Sequence, residues 1–181
     1  MPGDFDDTVG SDFGPEWERR QRAAYRDAQE EIEEAVEGAR DRGRDLGDVA
    51  LEAMHRGDSV MVRVGERTFS GQIGHVGAEF LTVVDGAGNQ VDVAFGALCY
   101  YTVTEPALAG GQALAATFPS TFRDCFFDAE TTGAEVEVGG SALAPVSGQV
   151  ATLGRDHVVM RARGRGEWVV PLAAVGYLIR R

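Results

Sequence analysis

The 181-residue sequence contains no lysine, so all 17 of its basic residues are arginine. We attribute this absence to the compositional bias of a GC-rich genome and not to arginine-specific chemistry. Asp and Glu together number 29, which gives a formal net charge of −12. A chain of this charge repels phosphate backbones, on which non-specific nucleic-acid affinity mainly depends. The composition therefore disfavours nucleic acid as a partner, while leaving room for a local basic patch.

Cysteine and histidine are also scarce. The two cysteines, Cys99 and Cys125, lie far apart in apolar surroundings, and we predict that both are reduced core residues. None of the three histidines stands three or four positions from another His or Cys, so their spacing indicates no metal site. No Ser-His-Asp grouping and no Gly-x-Ser-x-Gly motif is present. The sequence thus predicts a protein that is not an enzyme and has no cofactor or metal.

Long apolar runs are absent as well. No segment approaches the ~18 consecutive apolar residues of a membrane-spanning helix. The N-terminus is acidic and lacks the apolar core of an export signal. We therefore expect a cytoplasmic protein that does not contact membranes. Residues 1–14 are rich in Asp and Gly, and we predict that they form a disordered acidic tail.

Residues 15–44 have the pattern of a long amphipathic helix. Pro15 suits the first helical position, where its missing N–H costs nothing. Apolar residues form a narrow stripe that includes Trp17, Tyr25 and Ile32, and Glu and Arg cover the remaining surface. Such a stripe suits a helix that lies on a partner surface or pairs in a coiled coil. The alternative is a solvated helix that packs loosely on its own domain.

The following segment, residues 45–103, reads as a short helix and five short strands. Val60, Val62 and Val64 alternate with more polar residues, and this period of two indicates a half-buried strand. The Gly/Asn/Asp loop at residues 85–89 is typical of a hairpin. We interpret the isolated carboxylates Glu79, Asp85 and Asp92 as outward-facing strand positions. Five strands in so short a segment predict a bent sheet that closes into a small barrel.

The same pattern occurs twice. A displacement of 77 positions places Gly71-Gln72-Ile73 on Gly148-Gln149-Val150, and Tyr100 on Tyr177. A displacement of 76 positions superimposes two apolar helix faces, which are Leu46, Val49, Ala50 and Ala53 on Phe122, Cys125, Phe126 and Ala129. We therefore predict a mainly β fold with α-helices. It has two tandem five-stranded barrels at residues 45–103 and 120–181, each preceded by a short helix, with a linker at 104–119.

This combination of a helix and a bent five-stranded barrel resembles the Sm-like fold, although small SH3-type barrels share most of the pattern. The stretch from Gly71-Gln72-Ile73 to Phe80 is similar to the corresponding strands of the bacterial Sm-like RNA chaperone. The tandem arrangement is similar to a group of uncharacterised actinobacterial proteins, some labelled as transcriptional regulators. The resemblance implies two tandem Sm-like (LSm-type) barrels that assemble through their edge strands.

The chain departs from the RNA-binding members of that family at the residues that contact RNA. The family's Asp position corresponds to Gly77 and Gly154, and its Asn position to Leu81 and Val158. The Arg-Gly or Lys-His of the last turn is missing in both copies. The resemblance therefore implies the fold without the uracil-binding pocket, and a fold alone does not define a function.

The second barrel differs from the rest of the chain in its positive net charge, since residues 133–181 contain 4 acidic residues and 6 arginines. The candidate binding residues are Arg155, Arg161, Arg163 and Arg165. Three of them, Arg161, Arg163 and Arg165, are predicted to share one face of a strand that leads into a hairpin. They would contact a phosphate backbone or an acidic partner. The alternative is a solvated edge that deters strand pairing.

Two functions follow as hypotheses. The first is a non-enzymatic cytoplasmic scaffold or regulatory protein that acts through protein–protein contacts, including self-association, of its helix and barrel edges. The second is a nucleic-acid-binding or transcription-associated protein that uses the arginine-rich second barrel.

Overall fold

The computed structural model describes residues 15–107, 119–162, 164 and 166–180. The chain divides into two compact units, Met1–Arg44 and Asp45–Arg181, which we call the helical unit and the sheet unit. The predicted acidic tail and most of the predicted linker lie outside the described residues. In the described part, no helix is both long and apolar enough to cross a membrane.

The helical unit contains α1, Pro15–Arg42, which corresponds to the long helix predicted from the sequence. Arg40 and Arg42 lie in its last turn, where positive charge interacts favourably with the helix dipole.

The described residues of the sheet unit form two α-helices and ten strands in two similar halves. The elements of the first half are α2 (Leu46–Arg56), β1 (Ser59–Val64), β2 (Arg67–Val76), β3 (Phe80–Val84), β4 (Gln90–Ala94) and β5 (Tyr100–Glu105). Those of the second half are α3 (Phe122–Thr132), β6 (Glu135–Gly139), β7 (Val146–Leu153), β8 (His157–Ala162), β9 (Gly166–Pro171) and β10 (Tyr177–Arg180). A short 3-10 helix follows both β4 and β9.

All ten described strands belong to one open antiparallel sheet with the order β5-β1-β2-β3-β4-β10-β6-β7-β8-β9. The mainly β fold with three helices is therefore confirmed for the described residues. The two halves do not have separate sheets, because β4 of the first half pairs with β10 of the second. Within each half the strands keep one order: the fifth, first, second, third and fourth.

Both halves use the same local devices. Asp45 is the N-cap of α2 and Thr121 is the N-cap of α3, and each forms a capping box with the Asp three residues later. Both helices end at a glycine with positive φ, a conformation that favours glycine over other residues. From the second strand of each half, Gln72 and Gln149 donate side-chain hydrogen bonds to the carbonyls of these two glycines, Gly57 and Gly133.

The second strand of each half also bends at the same point. A β-bulge follows Ile73 in β2 and Val150 in β7, and both of these residues are buried. Just before each bulge stands a glycine without room for a side chain. A Cβ atom at Gly71 would lie 2.1 Å from the carbonyl oxygen of Val84, and one at Gly148 would lie 2.5 Å from that of Arg161. These positions therefore need glycine for close packing of the backbone.

Each half has its own hydrophobic core, with one exchange between them. Phe80 of β3 belongs to the core of the second half, where it packs on Phe122 of α3. Tyr177 of β10 belongs to the core of the first half, where its ring contacts Phe69 edge-on. The exchange makes the contact between the halves part of the buried core.

Two expectations about single residues are wrong. Asp92 does not face outward: it is completely buried, because α3 and Arg180 of the second half cover that side of β4. Cys99 is exposed rather than part of the core, whereas Cys125 is buried as predicted, and both are free thiols.

Candidate functional site

The two halves of the sheet unit meet in a contact that we call the inner junction. It consists of β4 and β10 with α3 packed against β4. The backbone N–H of Phe122 donates to Glu79 Oε1 at 3.2 Å, and the rings of Phe122 and Phe80 lie 6.1 Å apart. An open cleft of about 590 Å³ runs along this junction, lined mainly by apolar residues of both halves.

A buried ion pair crosses the inner junction. Arg180 Nε donates to Asp92 Oδ2 at 2.9 Å, and Thr82 Oγ1 donates to Asp92 Oδ1 at 2.7 Å. Burial alone would lower the pKa of Arg180, but the Asp92 carboxylate outweighs it and raises that pKa. A buried charge is tolerated only when it is paired and hydrogen-bonded, so this pair requires both halves to be in place.

The Cys125 thiol lies beside this ion pair on α3. Burial, reinforced by the nearby Asp92 carboxylate, raises the pKa of the Cys125 thiol. A thiol of this kind stays protonated and unreactive, so we assign Cys125 a packing role.

A second polar contact crosses the inner junction at the start of β2. Arg67 Nη2 donates to Glu137 Oε1 at 3.0 Å, and the Arg67 guanidinium lies 5.9 Å from the centroids of both Phe69 and Tyr177. The Tyr177 hydroxyl donates to the same Glu137 oxygen at 3.4 Å. Burial raises the pKa of Tyr177, so its hydroxyl stays neutral.

Among the described strands, the two at the ends of the sheet have one neighbour each. In the described residues β5 pairs only with β1, and β9 pairs only with β8. Exposed apolar side chains lie on both edge strands: Tyr100 on β5, and Trp168 and Val169 on β9. Unpaired edges with exposed apolar residues are surfaces on which another strand can add.

The predicted partner-helix residues are accessible. Trp17, Tyr25 and Ile32 are all exposed on α1, together with Val36. The apolar stripe of α1 is therefore largely uncovered.

The candidate arginines do not form one group in the described part of the chain. Arg155 is exposed in the turn before β8, and Arg161 lies near the other end of that strand, roughly 20 Å away at the usual rise per residue. Arg161 donates to Glu167 of β9 at 2.9 Å, so its charge is partly compensated. Arg163 and Arg165 lie outside the described residues.

At Gly77 and Gly154, which correspond to the family's RNA-binding Asp, an aromatic or imidazole ring occupies the space that a side chain would need. A Cβ atom at Gly77 would lie 2.3 Å from the Phe80 ring, and one at Gly154 would lie 2.4 Å from the His157 ring. An aspartate at either position would collide with these rings as they stand. Within the described ranges, no group of three or more His, Cys, Asp or Glu side chains is placed to hold a metal ion.

Sequence reasoning missed the inner junction and both of its polar contacts. The only sequence signal was an aspartate in the otherwise apolar strand Val91–Val93, which pointed equally well to an exposed face. Its partner Arg180 is 88 positions away, and no local pattern connects the two residues. A scan against protein-family models and a search of curated proteins found no match for this chain.

Proposed function

We propose that this chain is a non-enzymatic cytoplasmic scaffold or regulatory protein that acts through protein–protein contacts. The observation that carries the proposal is the location of its exposed large apolar side chains. They lie on the stripe of α1, on α2 and α3, and on the two unpaired edge strands β5 and β9. Exposed large apolar side chains at several sites of one protein are typical of interaction surfaces.

In this proposal each half of the sheet unit is a small barrel of the Sm-like type that serves as an assembly module. The strand order repeated in the two halves, the helix before each half and the bulge in each second strand support it. The pairing of β4 with β10 would then be a contact between two such modules within one chain.

The charge pattern of α1 supports a helical or strongly polar partner. Its first part is basic, with Arg19, Arg20, Arg22 and Arg26, and its later part is acidic, with five glutamates between residues 30 and 37. The exposed apolar stripe runs through both parts. A partner with an apolar stripe and the opposite order of charges would match α1 along its length.

Affinity capture from native lysate tests this proposal. The bait proteins are the full chain, the double variant Tyr25→Glu/Ile32→Glu, and the control Gln29→Glu, which changes an exposed polar position of the same helix. We expect specific partners that the double variant loses and the control retains. Identical sets of partners for all three baits, or none, would contradict a partner role for α1.

The alternative function is nucleic-acid binding through the arginines of the second half, and the exposed positions of Arg155 and Arg161 favour it. It predicts binding of RNA or DNA that weakens steeply with salt. The triple variant Arg161→Ala/Arg163→Ala/Arg165→Ala should then lose binding. Arg19→Ala/Arg20→Ala/Arg22→Ala, which removes the same charge from α1, should keep it. Absence of binding at low salt would eliminate this alternative.

A further inference from the structure

The exposed apolar residues of the sheet unit are distributed unequally between equivalent positions of the two halves. We call two residues counterparts when they occupy the same position in the strand order and register of each half. Seven large apolar side chains are exposed in the described part of this unit. They are Leu46, Val49, Leu51, Tyr100, Phe127, Trp168 and Val169.

Five of these seven have a buried counterpart at the inner junction. The exposed fractions of the five residues are between 38 and 67%, whereas those of their counterparts are 8% or less. The pairs are Leu46 with Phe122, Val49 with Cys125, Tyr100 with Tyr177, Trp168 with Val91, and Val169 with Asp92. The remaining two, Leu51 and Phe127, are counterparts of each other and are exposed in both halves.

The neighbouring half buries these positions in the inner junction. Val91 and Asp92 are covered because β10 pairs with β4, and Phe122 and Cys125 because α3 packs against the first half. At the outer ends of the sheet no half follows, so the same positions stay open. The two outer ends thus correspond to the two surfaces that meet at the inner junction, but each of them lacks the other as a partner.

We propose that a second copy of this chain supplies the missing partner. Strand β9 of one copy pairs with β5 of the next, in the antiparallel register that joins β4 to β10. This places Tyr100 opposite Val170, Tyr101 opposite Val169 and Thr102 opposite Trp168. The proposal deepens the proposed scaffold function, on which it rests, by naming a second copy as the partner.

The helix of the next copy completes this contact. In the inner junction α3 places Phe122 against Phe80, and its N–H donates to Glu79. The counterparts at the outer contact are Leu46 on α2, His157 at the start of β8 and the exposed Asp156 beside it. Leu46 of the incoming copy therefore covers His157, and its N–H faces the Asp156 carboxylate.

Side-chain sizes at the outer ends differ from those at the inner junction. At the inner junction a Cβ atom on Gly176 would lie 2.8 Å from Val64 Cγ1, so a glycine stands opposite a valine. Their counterparts are Cys99 and Gly140, so the larger side chain has moved to the other partner. A Cβ atom on Gly140 would lie 2.3 Å from the Ala174 carbonyl oxygen of its own half, so Gly140 has no room for a side chain and Cys99 carries the side chain of this pair.

The charged residues of the inner junction are replaced by apolar residues on both sides of the outer contact. The ion pair Asp92–Arg180 has the counterparts Val169 and Val103, and the ion pair Arg67–Glu137 has the counterparts Ala144 and Met61. Both partners of each pair change together, so the outer ends remain complementary to each other. An outer end docked on an inner surface would leave a charge buried without a partner, which is strongly unfavourable. This difference restricts β9 to pairing with β5.

One feature makes the outer contact weaker than the inner one. The N–H of Ala94 donates to the carbonyl of Gly176 at 3.0 Å, and the counterpart of Ala94 is Pro171, which has no N–H. The outer contact therefore lacks one hydrogen bond of the inner contact. We expect association that depends on protein concentration. A contact between two different surfaces of one chain builds rings or open filaments rather than symmetric dimers.

Charge exchange tests the proposal directly. Light scattering on a size-exclusion column, over a range of concentrations, should show multiples of the chain mass for the full-length protein. Val169→Asp and Val103→Arg each bury an unpaired charge and should weaken self-association about 100-fold or more. An equimolar mixture of the two variants should assemble again. The carboxylate introduced in one variant then faces the guanidinium introduced in the other, as Asp92 faces Arg180.

The control is Phe127→Asp, an exposed position whose counterpart is also exposed, and it should leave the mass unchanged. Restored assembly in the mixture shows that both single variants fold. Alkylation of Cys99 is a second readout, since its rate should fall as protein concentration rises.

A monomeric mass for the full-length protein at every concentration would overturn the proposal. So would assembly that neither single variant affects, or a mixture that fails to recover although both variants retain the near-ultraviolet circular dichroism of the wild type. These outcomes would leave the scaffold function standing if affinity capture still recovered partners that depend on Tyr25 and Ile32. If those partners were absent while self-association remained, the partner role of α1 would be contradicted and the proposed contact between copies would stand.

Discussion

The two halves of the sheet unit share one strand order and the same helix caps, yet they differ between the inner junction and the outer ends of the sheet. At the inner junction Phe122, Cys125 and Asp92 are buried, and a charged pair holds the halves together. At the outer ends the same positions hold Leu46, Val49 and Val169, which are apolar and exposed. The local fold of each half is therefore set by features that they share. The contacts of each half are set by the few side chains in which they differ.

This comparison leads to a clear expectation about which residues stabilise the single chain. Residues of the inner junction should contribute to the free energy of unfolding. Their counterparts at the outer ends should contribute to association instead.

The largest difference is expected for the first residues of the two short helices. Phe122→Ala removes a buried ring that packs on Phe80 and Phe126, and we expect it to lower the free energy of unfolding by about 3–5 kcal/mol. Leu46→Ala changes its exposed counterpart and should lower it by about 1 kcal/mol or less. Urea unfolding of dilute protein measures both values. Equal losses of unfolding free energy in the two variants would show that burial at the inner junction does not make Phe122 more important for stability than Leu46.

The buried ion pair provides the next test. Arg180→Val leaves the Asp92 carboxylate buried without its cationic partner, although Thr82 still donates to it, and should cost about 3 kcal/mol of stability. The double variant Asp92→Val/Arg180→Val reproduces the pair of valines found at the outer ends. It should recover most of that loss, because no charge remains buried. Urea unfolding of the single and double variants checks this, and a double variant no more stable than Arg180→Val would refute it.

A smaller effect is expected from pH. His75 of β2 donates through Nε2 to the carbonyl of Pro119 at 3.1 Å and contacts the Phe80 ring. Burial lowers the pKa of His75 below its usual value of 6.5. The unfolded chain then binds more protons than the folded chain at low pH, so stability should fall as the pH drops below about 6.5. Thermal unfolding between pH 7 and pH 5 should show a shallower decline for His75→Asn than for the wild type. The exposed control His55→Asn should retain the wild-type slope.

The smallest effect concerns the two thiols. Cys99 is exposed and Cys125 is buried, and burial raises the pKa of the Cys125 thiol. In dilute folded protein, one thiol per chain should react with an alkylating reagent, and the second only after denaturation. Mass spectrometry of the labelled peptides identifies the site. Rapid modification of Cys125 in folded protein would contradict the burial of α3 against the first half.

Most of the local structure could be predicted from the sequence. The apolar spacing of Leu46, Val49, Ala50 and Ala53 and its repetition 76 positions later predicted both short helices, since a helix face has a characteristic period. Alternation in Val60–Val64 predicted β1 in the same way. These patterns depend on neighbours in sequence, so one chain segment contains all the information that they need.

The candidate surfaces could be predicted only in part. The exposed stripe of α1 agrees with the predicted pattern of Trp17, Tyr25 and Ile32. The predicted common face of Arg161, Arg163 and Arg165 stays a prediction, because only Arg161 of the three is described, and Arg155 lies in the turn at the other end of β8. A list of residues on a strand gives their order, but which neighbours compensate their charges depends on the adjacent strand.

By itself, the sequence determined that this chain forms two like sets of a helix and five strands, because period, caps and turns are local properties. Only the tertiary structure decided that β4 and β10 join these sets in one sheet, that Asp92 is buried and that Cys99 is not. The physical reason is that a side chain is buried only when a second surface covers it. A strand carries the same alternation of side chains whether its edge is covered or open, and only the position of the second half distinguishes the two.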